Sequence, residues 1–180
     1  MRIAMNRAVA MELETLSPES LDAVEIGDRN HADRPWNAYV TYDFPEFDLC
    51  NPPSQLPQFD IVLCEQVLEH VVDPWRAMRT LHDLARAGGN VVVTTPFLYR
   101  FHDSPKDFWR FTPDGMKVLV RSAGLEVLSV DSWGNRASVR ANLGGRGHIA
   151  SGVRLKNDPS LSVVVWAFAR RPLDAGGSVR

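Results

Sequence analysis

The sequence predicts an α/β fold in which a mostly parallel sheet carries helices on both faces. Compact apolar runs rich in β-branched residues at 59–64 and 91–95 are typical of strands buried on both faces. Segments with helical spacing of apolar residues alternate with these strands. With 180 residues and 44% hydrophobic content, the chain suits one domain with a single core. We expect that domain over 1–171 and a flexible polar tail over 172–180.

Capping residues and helix breakers set the bounds of the predicted elements. The first helix covers 5–16, and a second begins at the N-cap Asp73 and ends at 88–89, a pair of glycines. A third helix is predicted between Thr112 and Gly124. The predicted strands lie at 21–27, at 36–50 as one or two short strands, and at 59–64, 91–95, 125–130 and 161–168. We expect the last of them to run antiparallel to the rest.

Composition and charge exclude several classes of protein. The 20 basic residues against 22 acidic ones give a net charge of −2, which argues against a nucleic-acid partner. No apolar run approaches the roughly 20 residues of a membrane span. Glu12 and Glu14 fall where a signal peptide would have its apolar segment. The two cysteines, Cys50 and Cys64, fit a reducing compartment. We therefore expect a cytoplasmic protein without membrane partners.

The carboxyl ends of the predicted strands are where a ligand is expected. In open α/β sheets, ligands bind in the crevice outside those ends. Gly27 follows the first strand and allows close approach of backbone to a ligand. Glu65 and Gln66 follow the strand at 59–64 directly. The residues around these strand ends are therefore the first candidates for a binding site.

Several spaced motifs appear in order between residues 59 and 115. They comprise Phe-Asp-Ile-Val at 59–62, Glu-His at 69–70, Asp-Pro at 73–74, Gly-Gly at 88–89 and the run from 91 to 112. Together they resemble the class I S-adenosylmethionine-dependent methyltransferases, and most closely the group called methyltransferase type 11. The resemblance implies a Rossmann-like fold, here in a small and trimmed version. It also implies S-adenosyl-L-methionine as cofactor and a small molecule as methyl acceptor.

The resemblance also implies which residues meet the cofactor. These are Glu25, Gly27, Asp28, Asp43, Asp48, Glu65 and Gln66. An acid is needed for the ribose hydroxyls, and both Asp43 and Asp48 are candidates. The family motif E-x-G-x-G-x-G is altered here, since Arg29 and His31 replace its later glycines. We expect these larger side chains to point away from the cofactor or to reshape the loop, and the short stretch before Asp60 to lack a helix and a strand.

Catalysis needs a group that takes a proton from the acceptor, and the candidates are His102, His70 and Asp103. His102 follows the strand at 91–95, either as base or as a loop-ordering residue. Asp107 is interpreted as an ion-pair partner of Arg110 that orders the same loop. The histidines and acids show no metal-ligand spacing, so no metal site is predicted.

Two functions are consistent with these motifs. The first is transfer of a methyl group to an oxygen, or as the less favoured choice a nitrogen, of a small molecule such as a sugar or specialised metabolite. The alternative is a non-catalytic binding or assembly module with a degraded cofactor loop. A homodimer, in which a second subunit completes the trimmed cofactor side, is an alternative to a monomer. Residues 134–154 hold four arginines and no acid, and are interpreted as an irregular solvated connection or as a lid for an anionic acceptor.

Overall fold

A computed structural model describes residues 2–103, 106–144 and 156–174. Within these ranges the helices are α1 (Arg2–Thr15), α2 (Pro74–Leu84), α3 (Pro113–Ser122) and α4 (Arg136–Leu143). The strands are β1 (Asp22–Ile26), β2 (Ala38–Tyr42), β3 (Phe59–Glu65), β4 (Ala85–Pro96), β5 (Glu126–Gly134) and β6 (Ser162–Arg170). They form one sheet in the order β2-β1-β3-β4-β6-β5.

The sheet is parallel except for its last strand. Strands β1 to β4 pair in parallel, whereas β6 lies between β4 and β5 and runs antiparallel to both. The chain continues from β1 to β2 on one side and then crosses to β3 on the other. This reversal beside β1 is the point at which open α/β sheets form a ligand crevice. The predicted fold class and its antiparallel terminal strand are confirmed.

Helices cover both faces of the sheet, as predicted. Residues of α1 pack on one face against alternate residues of β3, including Ile61 and Leu63. The intervening residues, Val62 and Cys64, face the other side and pack with α2 and α3. Each strand residue of this central run is therefore buried, which explains why the sequence reads as a continuous apolar run.

The amino-terminal half of the sheet is trimmed. Parallel strands are usually joined by a helix, yet residues 27–37 between β1 and β2 contain only turns and bends. Residues 43–58 between β2 and β3 likewise contain no helix. The ends of β1 and β2 are therefore flanked by short irregular segments.

Several predicted bounds are wrong. The second helix ends at Leu84, because Gly88 and Gly89 exchange backbone hydrogen bonds of 2.9 Å with Arg171 and join the sheet. The region 36–50, predicted as one or two short strands, does hold one strand, β2, which is shorter than the region. The region 134–154 is not wholly irregular, since α4 occupies its first part; residues 145–155 of that predicted connection lie outside the described ranges.

A capping motif at its N-terminus stabilises helix α4. The Asn135 side chain accepts a hydrogen bond of 2.9 Å from the backbone N–H of Ser138, whose hydroxyl accepts one of 2.9 Å from the Asn135 N–H. This capping box satisfies two of the helix's first backbone N–H groups.

The predicted tail is described only in part. Of the predicted tail, residues 172–174 carry no regular secondary structure and 175–180 lie outside the described ranges. No helix of the described residues is both long and apolar enough to span a bilayer.

Candidate active site

A cleft of about 700 Å³ opens at the carboxyl ends of β1, β2 and β3. It lies where the strand order reverses, which is the position that the fold predicts for a ligand. Six of the seven residues predicted to meet the cofactor line it: Gly27, Asp28, Asp43, Asp48, Glu65 and Gln66. The fold therefore brings together residues that are up to 39 positions apart in the sequence.

Gly27 forms the sharp turn out of β1. Its φ of +87° lies in the left-handed region, and a Cβ at this position would stand 2.8 Å from Cγ2 of Val67. Its backbone N–H donates a 2.8 Å hydrogen bond to the carbonyl of Tyr42 at the end of β2. Only glycine avoids both the backbone strain and the contact, so the backbone here stays close to the cleft.

Glu25 does not line the cleft, which corrects its predicted position. Its buried carboxylate accepts hydrogen bonds from the backbone N–H groups of Asn30 (2.9 Å) and His31 (3.1 Å) and from the Tyr39 hydroxyl (2.6 Å). Burial, followed by this bond, raises the pKa of Tyr39. Glu25 thus holds the loop after β1 in place from behind.

The side chains that replace the motif glycines leave the cleft open. Arg29 is exposed, and neither it nor His31 lines the cleft. His31 is buried, with its Nε2 3.4 Å from Oε1 of Glu65. The expectation that these larger side chains point away is met by the geometry.

Gln66 is fixed by β4. Its φ is 57°, its backbone N–H donates to the Thr94 carbonyl at 2.9 Å, and its Nε2 donates to Thr94 Oγ1 at 3.0 Å. These bonds shape the turn after β3. Beside it, the carboxylate of Glu65 is buried and reaches Asn30 Nδ2 at 3.5 Å.

The three aspartates of the cleft differ in how their oxygens are used. Asp28 is exposed and accepts a bond from Asn30 at 3.3 Å. Asp48 uses both oxygens in a turn, accepting from the Cys50 N–H (2.8 Å) and Asn51 Nδ2 (2.7 Å). Asp43 follows β2 directly, and among the described residues only its Oδ1 accepts a bond, from the next N–H at 2.8 Å.

Of the three predicted catalytic residues, one lines the cleft and two do not. His70 lines the cleft, and its Nδ1 contacts the carbonyl oxygen of Lys106. His102 stands behind it, with the two imidazole centroids 5.0 Å apart and the rings edge to face. Asp103 is exposed and, like His102, does not line the cleft.

His102 is oriented by an acid–base network. Its Nδ1 lies 3.2 Å from Oδ2 of Asp107, which also accepts the His102 backbone N–H at 2.8 Å. Arg110 donates to both oxygens of Asp107 and holds its pKa down at about 2. Burial lowers the pKa of His102 more than Asp107 raises it. The predicted Asp107–Arg110 ion pair is present, and it also fixes the imidazole.

Comparison with known proteins decides the family. A family model described as a methyltransferase domain matches residues 8–130. The chain belongs to this methyltransferase family. Its relatives include proteins named ubiquinone biosynthesis O-methyltransferase: that of Pseudomonas paraeruginosa is 31% identical over 109 residues, 51% of this chain and 47% of the relative. That of Ruegeria pomeroyi is 33% identical over 91 residues, 38% and 35% of the two chains. The chain spans about half the length of the curated relatives it matches, or less.

Solved structures share the methyltransferase fold. An S-adenosylmethionine-dependent methyltransferase from Thermotoga maritima matches with a TM-score of 0.60 at 17% identity, over 88% of this chain and 86% of that one. The cyclase SpnF matches with a TM-score of 0.58 at 14% identity, over 86% and 76%. Because the second protein is named for another reaction, the shared fold alone does not set the chemistry.

Sequence reasoning missed part of this candidate site. Phe44 and Lys106 line the cleft, yet neither is predicted as a site residue: Phe44 lies in an irregular segment without a motif, and Lys106 is only one position in the run from 91 to 112. Glu69 belongs to the Glu-His motif at 69–70 but is not among the predicted site residues, although its carboxylate approaches His70 Nε2 to 3.8 Å. The pairing of Glu69 with His70 in sequence was the available signal.

Proposed function

We propose that this protein transfers the methyl group of S-adenosyl-L-methionine to an oxygen of a small molecule. The observation that carries the proposal is the cleft at the switch point beside β1, lined by Gly27 and Asp43. Family membership supports the choice of cofactor, and the O-methyltransferase names of the relatives support oxygen as the acceptor atom.

The residues present fit the cofactor. The close backbone at Gly27 leaves room that any Cβ would remove, which suits the methionine part. Asp43, with one oxygen uncommitted among the described contacts, suits the ribose hydroxyls. The exposed ring of Phe44 and the side chain of Val67 supply apolar cover for the adenine. When bound, the cofactor supplies a methyl group already activated on a sulfonium.

The acceptor then approaches from the side on which His70 meets His102. Asp107 at 3.2 Å and Arg110 at 3.5 Å both contact Nδ1 of His102, so Nε2 is the nitrogen left to meet an acceptor that reaches past His70, and in this proposal it takes the proton of the acceptor hydroxyl. The Asp107 carboxylate would stabilise the imidazolium that results. The acceptor oxygen would then take the methyl group from the bound cofactor, whose methyl–sulfur bond breaks so that S-adenosylhomocysteine leaves. His102, His70 and the exposed Asp103 remain the proposed proton-handling groups, with His102 first.

The residues lining the cleft favour a small acceptor molecule with an apolar portion. Val72 and Phe108 line the cleft and are 66% and 49% exposed. Lys106 adds a positive charge beside them. A sugar or specialised metabolite with a ring or short apolar group fits this chemistry.

The proposed function is tested by measuring methyl transfer to candidate acceptors. Purified protein is incubated with S-adenosyl-L-methionine and panels of hydroxylated sugars and phenols, and S-adenosylhomocysteine formation is followed. We expect turnover with a panel member and a loss of roughly 10²–10⁴-fold in kcat for His102→Gln. His82→Gln on α2, which removes a histidine also paired with an acid, is the control. Cofactor binding without turnover on any acceptor would favour the non-catalytic module instead.

A further inference from the structure

The loop after β1 is anchored at His31 by both its backbone and its side chain. The His31 backbone N–H donates to the Glu25 carboxylate at 3.1 Å, and its carbonyl accepts the indole N–H of Trp36 at 2.9 Å. Its imidazole is buried and reaches Glu65 at the end of β3, with Nε2 3.4 Å from Oε1. Because residues 27–37 contain no helix, these contacts fix the imidazole in place of regular structure.

The Glu65 carboxylate is buried, yet its capacity to accept hydrogen bonds is largely unused. The side chain is only 4% exposed, and the residue lines the cleft. Oε2 accepts one long hydrogen bond of 3.5 Å, from Nδ2 of Asn30. Among the described residues neither Oε1 nor Nε2 of His31 has a hydrogen-bond partner, since their approach to each other is not aligned for one. A carboxylate taken out of water is costly unless it is paired, so Oε1 indicates a donor or a cation supplied by a ligand of the cleft.

The charges along the cleft favour a cation at Glu65. Four acidic side chains line the cleft at the ends of β1, β2 and β3, and Glu65 is the buried one among them. Water screens a buried charge less, so an ammonium group binds it more strongly than it binds an exposed carboxylate. In the sheet Ile26 pairs with Cys64, which places Gly27 and Glu65 side by side where their strands end. The close backbone at Gly27 already suits the methionine part of the cofactor, and that part carries an ammonium group.

We propose that Glu65 binds the ammonium group of the cofactor and that His31 is the positioning residue that holds the carboxylate towards it. The inference rests on the proposed function and adds a residue to it. His31 stands at the last glycine of the family motif, and a glycine there has no side chain that could brace Glu65. The replacement therefore supplies a contact between the loop after β1 and the turn after β3.

Calorimetric titration of the full-length protein tests the ammonium assignment. S-Adenosylhomocysteine carries the ammonium group, whereas methylthioadenosine has the same nucleoside and sulfur without it, and its binding is measured by competition. We expect Glu65→Gln to weaken S-adenosylhomocysteine binding roughly ten- to a hundredfold, because a hydrogen bond to a charged group is lost. The affinity for methylthioadenosine should stay as in the wild type. Equal losses for the two ligands would overturn the assignment.

The role of His31 is tested through its coupling to Glu65. His31→Ala should weaken S-adenosylhomocysteine binding at least about tenfold in the wild type but less than about twofold in the Glu65→Gln background, since it acts only through that carboxylate. His31→Gln places an amide N–H near the position of imidazole Nε2 and should bind close to the wild type. His31→Gly, which restores the motif, should lose as much as His31→Ala, and His82→Gln on α2 is the control. Losses that add in the double variant overturn the positioning role.

Folding and cofactor binding are controlled separately. Because His31 is buried, the melting temperature of every variant is recorded. If His31→Ala does not fold, His31→Asn, whose shorter side chain ends at the position of Nδ1, takes its place in the cycle. A His31→Ala or His31→Asn protein that folds and binds S-adenosylhomocysteine as the wild type does overturns the inference and leaves the proposed function standing. A wild-type protein that binds neither ligand overturns both.

Discussion

Replacing Gly27 by alanine tests the loop after β1 most sharply. The residue has a φ of +87°, and the new Cβ would meet Val67 Cγ2 at 2.8 Å. Left-handed backbone costs about 1–2 kcal/mol for a residue with a Cβ, and overpacking adds roughly 1–3 kcal/mol. Together the free energy of unfolding should fall by about 2–5 kcal/mol, which for a chain of this size lowers the melting temperature by roughly 4–20 °C.

Gly88→Ala is the matched control for this change. Gly88 has a φ of +79°, and its added Cβ would stand 3.1 Å from Leu173 Cδ2, away from the cleft. Both variants are melted by calorimetry and titrated with S-adenosylhomocysteine. We expect both to lose stability, but only Gly27→Ala to lose affinity, by at least about tenfold, because its loop must move.

A second substitution separates strain from contact. In the Gly27→Ala background, Val67→Ala removes the Cγ2 atom in the way and should restore part of the melting temperature, leaving the backbone strain. A Gly27→Ala protein that melts and binds S-adenosylhomocysteine as the wild type does would refute the reasoning.

Substitution of Asp43, alkylation of Cys64 and substitution of Asp22 test other parts of the structure. Asp43→Asn should weaken S-adenosylhomocysteine binding roughly ten- to a hundredfold, measured by calorimetric titration, with the exposed Glu46→Gln as control; equal affinities would contradict the ribose assignment. Burial raises the pKa of the Cys64 thiol, so alkylation at mildly alkaline pH should leave it unmodified until the protein is unfolded, as mass spectrometry will show. Hydrogen bonding from Arg86 lowers the pKa of Asp22, so this pair stabilises the fold above the ordinary aspartate pKa of about 3.9 and loses effect as pH falls through the lowered value. The melting-temperature difference between wild type and Asp22→Asn should therefore shrink in acid, and a difference that grows there would contradict the ion pair.

The central sheet could be predicted because local signals agree there. The run at 59–64 is apolar on both faces, and the helix after it begins with Asp73, whose carboxylate accepts the N–H groups of Trp75 and Arg76. Helix α4 escaped prediction because its sequence has little apolar periodicity and depends on the cap at Asn135. Its buried side chains include the polar Ser138, which no hydrophobic pattern identifies.

The candidate site, too, could be predicted from the sequence only in part. Positions at strand ends, such as Gly27 and Asp43, follow from topology and could be read from the motifs. The direction of a side chain could not: Glu25 turns back to hold its own loop, and His31 meets Glu65 34 residues later. The contact of His102 with His70 likewise depends on two segments that come together only in the folded chain.

The measurement that tests the central claim most directly is a thermal-shift titration with S-adenosyl-L-methionine and S-adenosylhomocysteine, with NAD as control. Ligand at a hundred times its dissociation constant stabilises the folded state by about 2.7 kcal/mol. For a chain of this size the melting temperature should then rise by roughly 5–11 °C. We expect a saturable rise with the two sulfur compounds and none with NAD. A protein that melts cooperatively and shows no rise with either sulfur compound would contradict the assignment of the cleft.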